Sequence, residues 1–237
     1  MKILHIGQMI GGLDIYIRNS ILYSTNDYEY VIIHGDKDKN KPVIKEGKKI
    51  SEHQIRLYRK LSLLWDVVAL IQTILLIRKE KPDIIHCHSA KGGFIGRIAG
   101  RITGTKTYYT PHAFSYLCTD SKLKRWIFLS LERIAKGNSF LLACSESERE
   151  LAIKEVRYQK DKALVWHNAV PDIEIRDNNH KESKYICCIG RPSYQKNTLF
   201  LVDVIEGVKK KASRCEVLFD RSWILFSRFG NNEEETL

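Results

Sequence analysis

The chain lacks an uninterrupted hydrophobic run of membrane-spanning length, a paired cysteine pattern and any excess of proline. Its 5 prolines and 14 glycines among 237 residues exclude collagen-like and low-complexity chains. The 6 cysteines are scattered, without the spacing of a zinc site or of a secreted disulfide scaffold. The first residues, MKILHIG, lack the apolar stretch of a signal peptide. These absences predict a globular protein of the reducing cytoplasm.

Acidic residues are in the minority. The 39 lysines and arginines outnumber the 28 aspartates and glutamates, which gives a formal net charge of +11. Such a surface attracts polyanions, nucleotides or anionic lipid headgroups. A helix-turn-helix signature, zinc-finger spacing and an RNP-like aromatic motif are all missing, so nucleic acid is not expected as a partner.

The most apolar segment is 61–77, LSLLWDVVALIQTILLI. Asp66 and Gln72 interrupt it, and it barely reaches the length that spans ~30 Å of hydrocarbon. We therefore predict a helix buried against a sheet. Peripheral contact with a membrane surface stays open as an alternative, because basic residues flank the segment on both sides: Arg56, Arg59, Lys60, Arg78, Lys79 and Lys81.

Strand-like runs alternate with segments of helical periodicity along most of the chain. This alternation predicts an α/β fold, a Rossmann-like doubly wound parallel sheet with helices on both faces. The basic stretch 36–53 is predicted to be a loop. Ile15, Ile17, Ile21 and Leu22 of the first helix are expected in the core. The predicted strands are 2–7, 28–35, 83–89, 106–112, 140–145 and 163–170, and the predicted helices are 14–25, 61–81, 91–103, 121–136 and 147–156.

The domain organisation is predicted from a change in composition. Residues 1–171 form the first Rossmann-like domain, and the polar, Asn-rich stretch 172–183 is the predicted linker. A strand at 185–191 and an amphipathic helix at 198–211 begin a second lobe. The alternation is lost after about residue 212, whereas such a lobe needs more than ~100 residues. Residues 184–237 are therefore expected to be an incomplete second lobe.

A glycine-containing loop follows the first strand. It runs from Gly7 to Gly12 and opens a helix, a position where free backbone N–H groups favour a phosphate. The spacing is not G-x-G-x-x-G, which weakens a nicotinamide-binding interpretation. A plain tight turn between strand and helix is the alternative.

Three histidines lie at predicted strand ends. His86 and His88 alternate along one strand and share a face, close to Lys91 at the next strand–helix junction. They are candidates for ligand contact, for a metal pair that lacks a third ligand, or for purely structural roles. His112 ends the following strand, where it can orient a hydroxyl nucleophile or donate to a phosphate, or serve a structural role.

Two cations follow the first strand of the second lobe. Arg191 and Lys196 lie five residues apart on a predicted loop at a helix start. A planar guanidinium fork and a point charge suit a diphosphate.

Six blocks together resemble the retaining glycosyltransferases of GT-B architecture, which include bacterial capsule and lipopolysaccharide sugar transferases. In chain order they are GGLDIYIRN, PDIIHCHSAKGGFIGRIAG, TYYTPHAF, ACSESERELA, VWHNAVP and IGRPSYQKN. They cover residues 1 to about 211. Asp14 stands where the family usually has glutamate after the glycine pair.

The resemblance implies a UDP- or GDP-sugar donor and a lipid-linked saccharide acceptor, at the inner face of the membrane. It implies that Gly11, Gly12 and His112 lie near the reacting centre, while Arg191 and Lys196 hold the donor diphosphate. The acceptor-binding candidates are His86, His88 and Lys91. No metal and no separate cofactor are expected.

The family's paired glutamates in the donor lobe have no counterpart here, which suggests a truncated donor domain. Three functions are therefore weighed: a hexosyltransferase or its remnant, a non-catalytic acceptor-binding module completed by a partner donor domain, and a nucleotide-sugar epimerase of the same shape.

Overall fold

The computed structural model describes residues 1–25, 27–37, 41–58, 62–170, 185–188, 197–211 and 216–219. The chain divides into two compact units, Met1–Pro171 and Asp172–Leu237. The predicted linker 172–183 lies outside the described residues, and the assignment of 184–237 to an incomplete donor domain stays a prediction.

A parallel seven-stranded sheet forms the first unit, in the order β5-β2-β1-β6-β7-β8-β9. The predicted α/β, Rossmann-like fold is confirmed. A short antiparallel pair, β3 with β4, lies outside this sheet. The strands are β1 (Lys2–Met9), β2 (Glu29–Lys37), β3 (Ile44–Lys45), β4 (Lys48–Lys49), β5 (Ser51–Gln54), β6 (Ile84–His88), β7 (Lys106–Thr110), β8 (Phe140–Ala143) and β9 (Ala163–Val165).

Five α-helices connect these strands. β2 lies on one side of β1, whereas β6, β7, β8 and β9 follow in that order on the other side of β1. The order therefore reverses between β1 and β6, the point where open α/β sheets bind ligands. The helices are α1 (Gly12–Leu22), α2 (Leu63–Glu80), α3 (Ser89–Thr103), α4 (Lys122–Lys136) and α5 (Glu146–Leu151), and a π-helical turn (Ala152–Val156) continues α5.

Two apolar clusters lie on the two faces of the sheet. Leu4 and Ile6 of β1 belong to the larger cluster, to which α2 and α3 contribute. Ile17 and Ile21 of α1 belong to the smaller one. Helices therefore cover both faces, as predicted.

The expected core role of Ile15 and Leu22 is wrong, because they are 52% and 51% exposed. Ile17 and Ile21 are four residues apart and so share the buried side of α1, and only these two of the four predicted residues reach the core.

Close contact between α3 and the sheet depends on small residues. A Cβ atom added to Gly96 would lie 2.3 Å from Cys87 Sγ, and one added to Gly93 would lie 2.1 Å from the Tyr109 ring. Such distances leave no room for a side chain. The glycines of α3 therefore allow this helix to pack closely on β6 and β7.

The segment 36–53 is not simply a loop. It contains β3 and β4 and the start of β5, and β5 pairs in parallel with β2 at the sheet edge. The sequence of β5, SEHQ, is polar, so hydrophobic alternation gave no signal for an edge strand with little burial.

The helix α2 is only partly buried. Ala69, Thr73 and Ile77 face the protein, and α2 packs on α3. The prediction of a buried helix holds for this side alone, since five apolar side chains are exposed: Leu63, Leu64, Val67, Ile71 and Leu75. Among the described helices, α2 included, none has the length and apolar character to cross a membrane.

The second unit is described in three segments. They are β10 (Tyr185–Cys188), α6 (Thr198–Lys211) and β11 (Glu216–Phe219), and β10 pairs with β11 in parallel. A strand and a helix occur where they were predicted. β11 corrects the expectation that regular alternation ends at about residue 212.

Candidate functional site

The candidate site lies at the carboxyl ends of β1, β6 and β7, beside the reversal of strand order. His5 of β1 is the register partner of His86 of β6, so both side chains leave the same face of the sheet. His88 lies two residues further along β6 and shares that face. Parallel pairing of the two central strands thus gathers three imidazoles.

A hydrogen-bonded row of rings runs through this cluster. His5 Nδ1 lies 3.0 Å from His88 Nε2, and His88 Nδ1 lies 3.3 Å from His112 Nε2. His112 Nδ1 is 3.8 Å from Cys144 Sγ. His86 is bonded separately, with its Nε2 2.8 Å from Thr110 Oγ1. The histidines that the sequence singled out therefore form one connected group.

Burial keeps these imidazoles neutral. It lowers the pKa of both His5 and His112 from 6.5 to about 4. It also lowers the pKa of His86 and His88 well below 6.5, and the neighbouring histidines add to the effect. A neutral imidazole keeps a lone pair that can accept a proton or a metal ion.

His112 is held in an unusual backbone conformation. Its φ is 53° and that of Ala113 is 78°, both in the left-handed region that costs a non-glycine residue about 1–3 kcal/mol. The Ala113 N–H donates to Glu148 Oε1 at 2.9 Å, which holds this turn against α5. The Tyr16 ring of α1 packs edge-on at 4.8 Å from the His112 ring. Such strain is typical of functional positions.

The other predicted site residues have surroundings of their own. Gly11 has a φ of 60° just before α1, and the space that a side chain would occupy at Gly11 or Gly12 is open. Lys91 Nζ donates to Tyr58 O at 2.6 Å and pairs with Asp66, which ties α3 to α2. Arg191 and Lys196 lie outside the described residues, so the diphosphate clamp stays a prediction.

Sequence reasoning missed His5, Tyr16, Cys144 and Glu148. His5 is 81 residues away from His86 in sequence, and only the pairing of β1 with β6 brings the two together. A histidine two residues before the glycine loop was the available signal. Without the strand register, His5 cannot be distinguished from an ordinary polar residue of a strand.

Residues 10–172 match the sequence model of glycosyltransferase family 4. This match covers most of the chain, and the chain belongs to that family. The resemblance to GT-B sugar transferases inferred from the six sequence blocks is thereby confirmed.

Two curated relatives carry related names. The chain is 34% identical over 166 residues to the UDP-Gal:alpha-D-GlcNAc-diphosphoundecaprenol alpha-1,3-galactosyltransferase of Escherichia coli. This alignment covers 64% of this chain and 43% of that protein. The chain is also 30% identical over 156 residues to the capsular polysaccharide biosynthesis glycosyltransferase CapM of Staphylococcus aureus. This second alignment covers 60% of this chain and 41% of that protein. The chain thus matches less than half the length of each.

A solved structure shares the fold. The putative UDP-N-acetylglucosamine 2-epimerase of Listeria monocytogenes superposes with a TM-score of 0.57 at 10% identity, over 93% of this chain and 64% of that one. At this identity, the superposition supports the shared architecture alone. The matched family and both curated relatives are glycosyltransferases, which argues against the epimerase alternative.

Proposed function

We propose that the protein is a glycosyltransferase of surface polysaccharide biosynthesis, which transfers a hexose from a UDP- or GDP-sugar to a lipid-linked saccharide. The observation that carries this proposal is the family match over residues 10–172. The proposal is supported by the Escherichia coli relative, whose name specifies a UDP-galactose donor and a GlcNAc-diphosphoundecaprenol acceptor. Whether this chain uses the same sugars is part of the proposal.

In this proposal His112 acts at the acceptor hydroxyl. A neutral imidazole at the edge of the sheet can accept a hydrogen bond from a hydroxyl and increase its nucleophilicity. His88 holds the His112 ring through their 3.3 Å contact, and Lys91 ties α3 to α2. The open loop at Gly11 and Gly12 gives a substrate close access to the backbone.

The donor side of the proposal rests on Arg191 and Lys196. Two cations stabilise the nucleotide diphosphate as it leaves, so the transfer needs no metal at the donor. This assignment comes from the residue types and spacing of Arg191 and Lys196 and from the family resemblance.

We also propose that the first unit contacts the cytoplasmic face of a membrane, where a lipid-linked acceptor is found. Leu63 and Leu64 are 84% and 69% exposed at the start of α2, and Trp126 of α4 is 65% exposed. Both helices pack against α3. Exposed basic residues accompany them and suit anionic headgroups: Arg56, Arg78, Lys79, Lys122, Lys124 and Arg125.

A non-catalytic acceptor-binding module is the second candidate. The specific observation in its favour is that the family match ends at residue 172, close to the end of the first compact unit. That unit carries all of the proposed acceptor-binding residues.

The test is a transfer assay with the purified chain, UDP-galactose and other nucleotide hexoses, and a short-chain GlcNAc-diphospholipid, with products read by mass spectrometry. Transfer that is lost in His112→Ala and kept in His53→Ala supports the enzyme. His53 is a matched control because it lies on β5, away from the cluster, and pairs with Glu80. Saturable acceptor binding without transfer would favour the binding module. Absence of both transfer and binding would contradict the proposal.

A further inference from the structure

The histidine cluster has a property that sugar transfer does not require. His5, His86 and His88 each present a ring nitrogen, and these three nitrogens all lie within 4.8 Å of one another. The sequence offered His86 and His88 as a metal pair without a third ligand. The pairing of β1 with β6 supplies that ligand as His5.

We propose that His5, His86 and His88 bind one divalent transition-metal ion, and that zinc is the ion they suit best. Three imidazoles are a known set of zinc ligands, and they disfavour magnesium and calcium, which prefer oxygen.

The geometry lies close to what zinc requires. Zinc–nitrogen bonds of about 2.0–2.1 Å in a tetrahedron place two ligand nitrogens about 3.3 Å apart. His5 Nδ1 and His88 Nε2 are already 3.0 Å apart. His86 Nε2 bonds to Thr110 Oγ1, which leaves its Nδ1 for the metal.

The surroundings supply the outer contacts that metal-binding histidines usually have. Thr110 Oγ1 accepts from the far nitrogen of His86, and His112 Nε2 accepts from the far nitrogen of His88. His5 and His88 are buried, whereas His86 is half-buried.

Metal binding would also fix the tautomer of His112. With the ion on His88 Nε2, the His88 proton is on Nδ1 and is donated to His112 Nε2. His112 must then carry its own proton on Nδ1, towards Cys144 Sγ. With zinc bound, both ring nitrogens of His112 are therefore engaged and neither can accept from an acceptor hydroxyl, so zinc would hold the proposed site inactive. This consequence alone rests on the proposed function.

The test is a titration of chelator-treated protein, prepared without a histidine tag, with Co²⁺ as a visible substitute for zinc. We expect one Co²⁺ per chain, the intense visible absorption of four-coordinate cobalt, and displacement by Zn²⁺. Wild-type protein that binds no Co²⁺, or shows only the weak absorption of six-coordinate cobalt, would overturn the proposal regardless of how any variant folds.

Variants locate the site. His86→Gln is expected to weaken Co²⁺ binding at least about tenfold, while His53→Gln leaves it unchanged. Equal loss in both variants would overturn the assignment. Histidine-selective NMR with and without Zn²⁺ then reads the protonated nitrogen of His112, independently of any transfer activity.

Discussion

At the scale of single residues, a buried polar group fixes how α4 sits on α3 and β7. Arg97 donates to Glu132 Oε2 at 2.8 Å and stacks over the Tyr109 ring at 3.8 Å, and the Tyr109 hydroxyl donates to Glu132 Oε1 at 3.0 Å. The charged side chains of Arg97 and Glu132 are 1% and 4% exposed. Removing one partner leaves the other charge buried and uncompensated.

We predict that Glu132→Ala lowers the free energy of unfolding by about 3–5 kcal/mol, because Arg97 stays buried without its carboxylate. Urea denaturation followed by circular dichroism measures it. The control is Glu150→Ala, which breaks the exposed pair with Lys154 and is expected to change stability by less than about 1 kcal/mol. Similar losses in the two variants would show that the buried pair contributes no more than a surface one.

The neutral histidines predict a dependence of stability on pH. The pKa of His5 and of His112 is 6.5 when unfolded and about 4 when folded, so the unfolded chain binds more protons between these values. Stability is therefore complete above about pH 6.5 and falls as the pH drops towards 4. Each histidine contributes up to about 1.4 kcal/mol per pH unit in this window.

Urea denaturation at several pH values, in the presence of EDTA, measures this slope. Replacing His5 with glutamine should make the slope shallower. An unfolding free energy that stays constant from pH 7 to pH 5 would contradict the burial of neutral imidazoles.

At the scale of elements, the apolar sequence of α2 predicted a helix but did not predict which of its sides is covered. α2 was expected to be buried because its sequence is apolar almost all round. Its outer side instead remains exposed at Val67 and Ile71. The polar edge strand β5 was missed for the opposite reason, since it carries no apolar pattern. Hydrophobicity therefore located α2 correctly, whereas only the packing partners decide which of its sides is covered.

We predict that the outer side of α2 mediates binding to anionic vesicles. The double substitution Val67→Ser with Ile71→Ser should lower partitioning onto phosphatidylglycerol vesicles at least about tenfold, because burying one such side chain contributes about 1.5–3 kcal/mol. Sedimentation of the chain with vesicles measures this.

The matched control is Ile15→Ser with Leu22→Ser on α1, since these side chains have similar exposure on the other face of the sheet. Equal losses in the two double variants, or equal binding to uncharged phosphatidylcholine vesicles, would argue against a specific membrane surface on α2.

At the scale of the whole molecule, the parallel sheet with helices on both faces was predictable and the site was predictable only in part. The alternation of strands and helices predicted the parallel sheet, and the sheet places His88 and His112 at one edge. Local sequence does not encode which strands are neighbours. The part of His5 in the cluster therefore became visible only through the pairing of β1 with β6.

We propose that the carboxyl ends of β1, β6 and β7 hold a lipid-linked saccharide, and a histidine-selective NMR titration tests this binding. A short-chain GlcNAc-diphospholipid in detergent micelles is added to chain labelled at its histidines. We expect saturable shifts of the His86 and His112 ring signals and an unchanged His53 signal. We expect no shift of any of these signals when the sugar-free diphospholipid is added. Saturable binding that leaves His86 and His112 unmoved, or no binding at all, would contradict it.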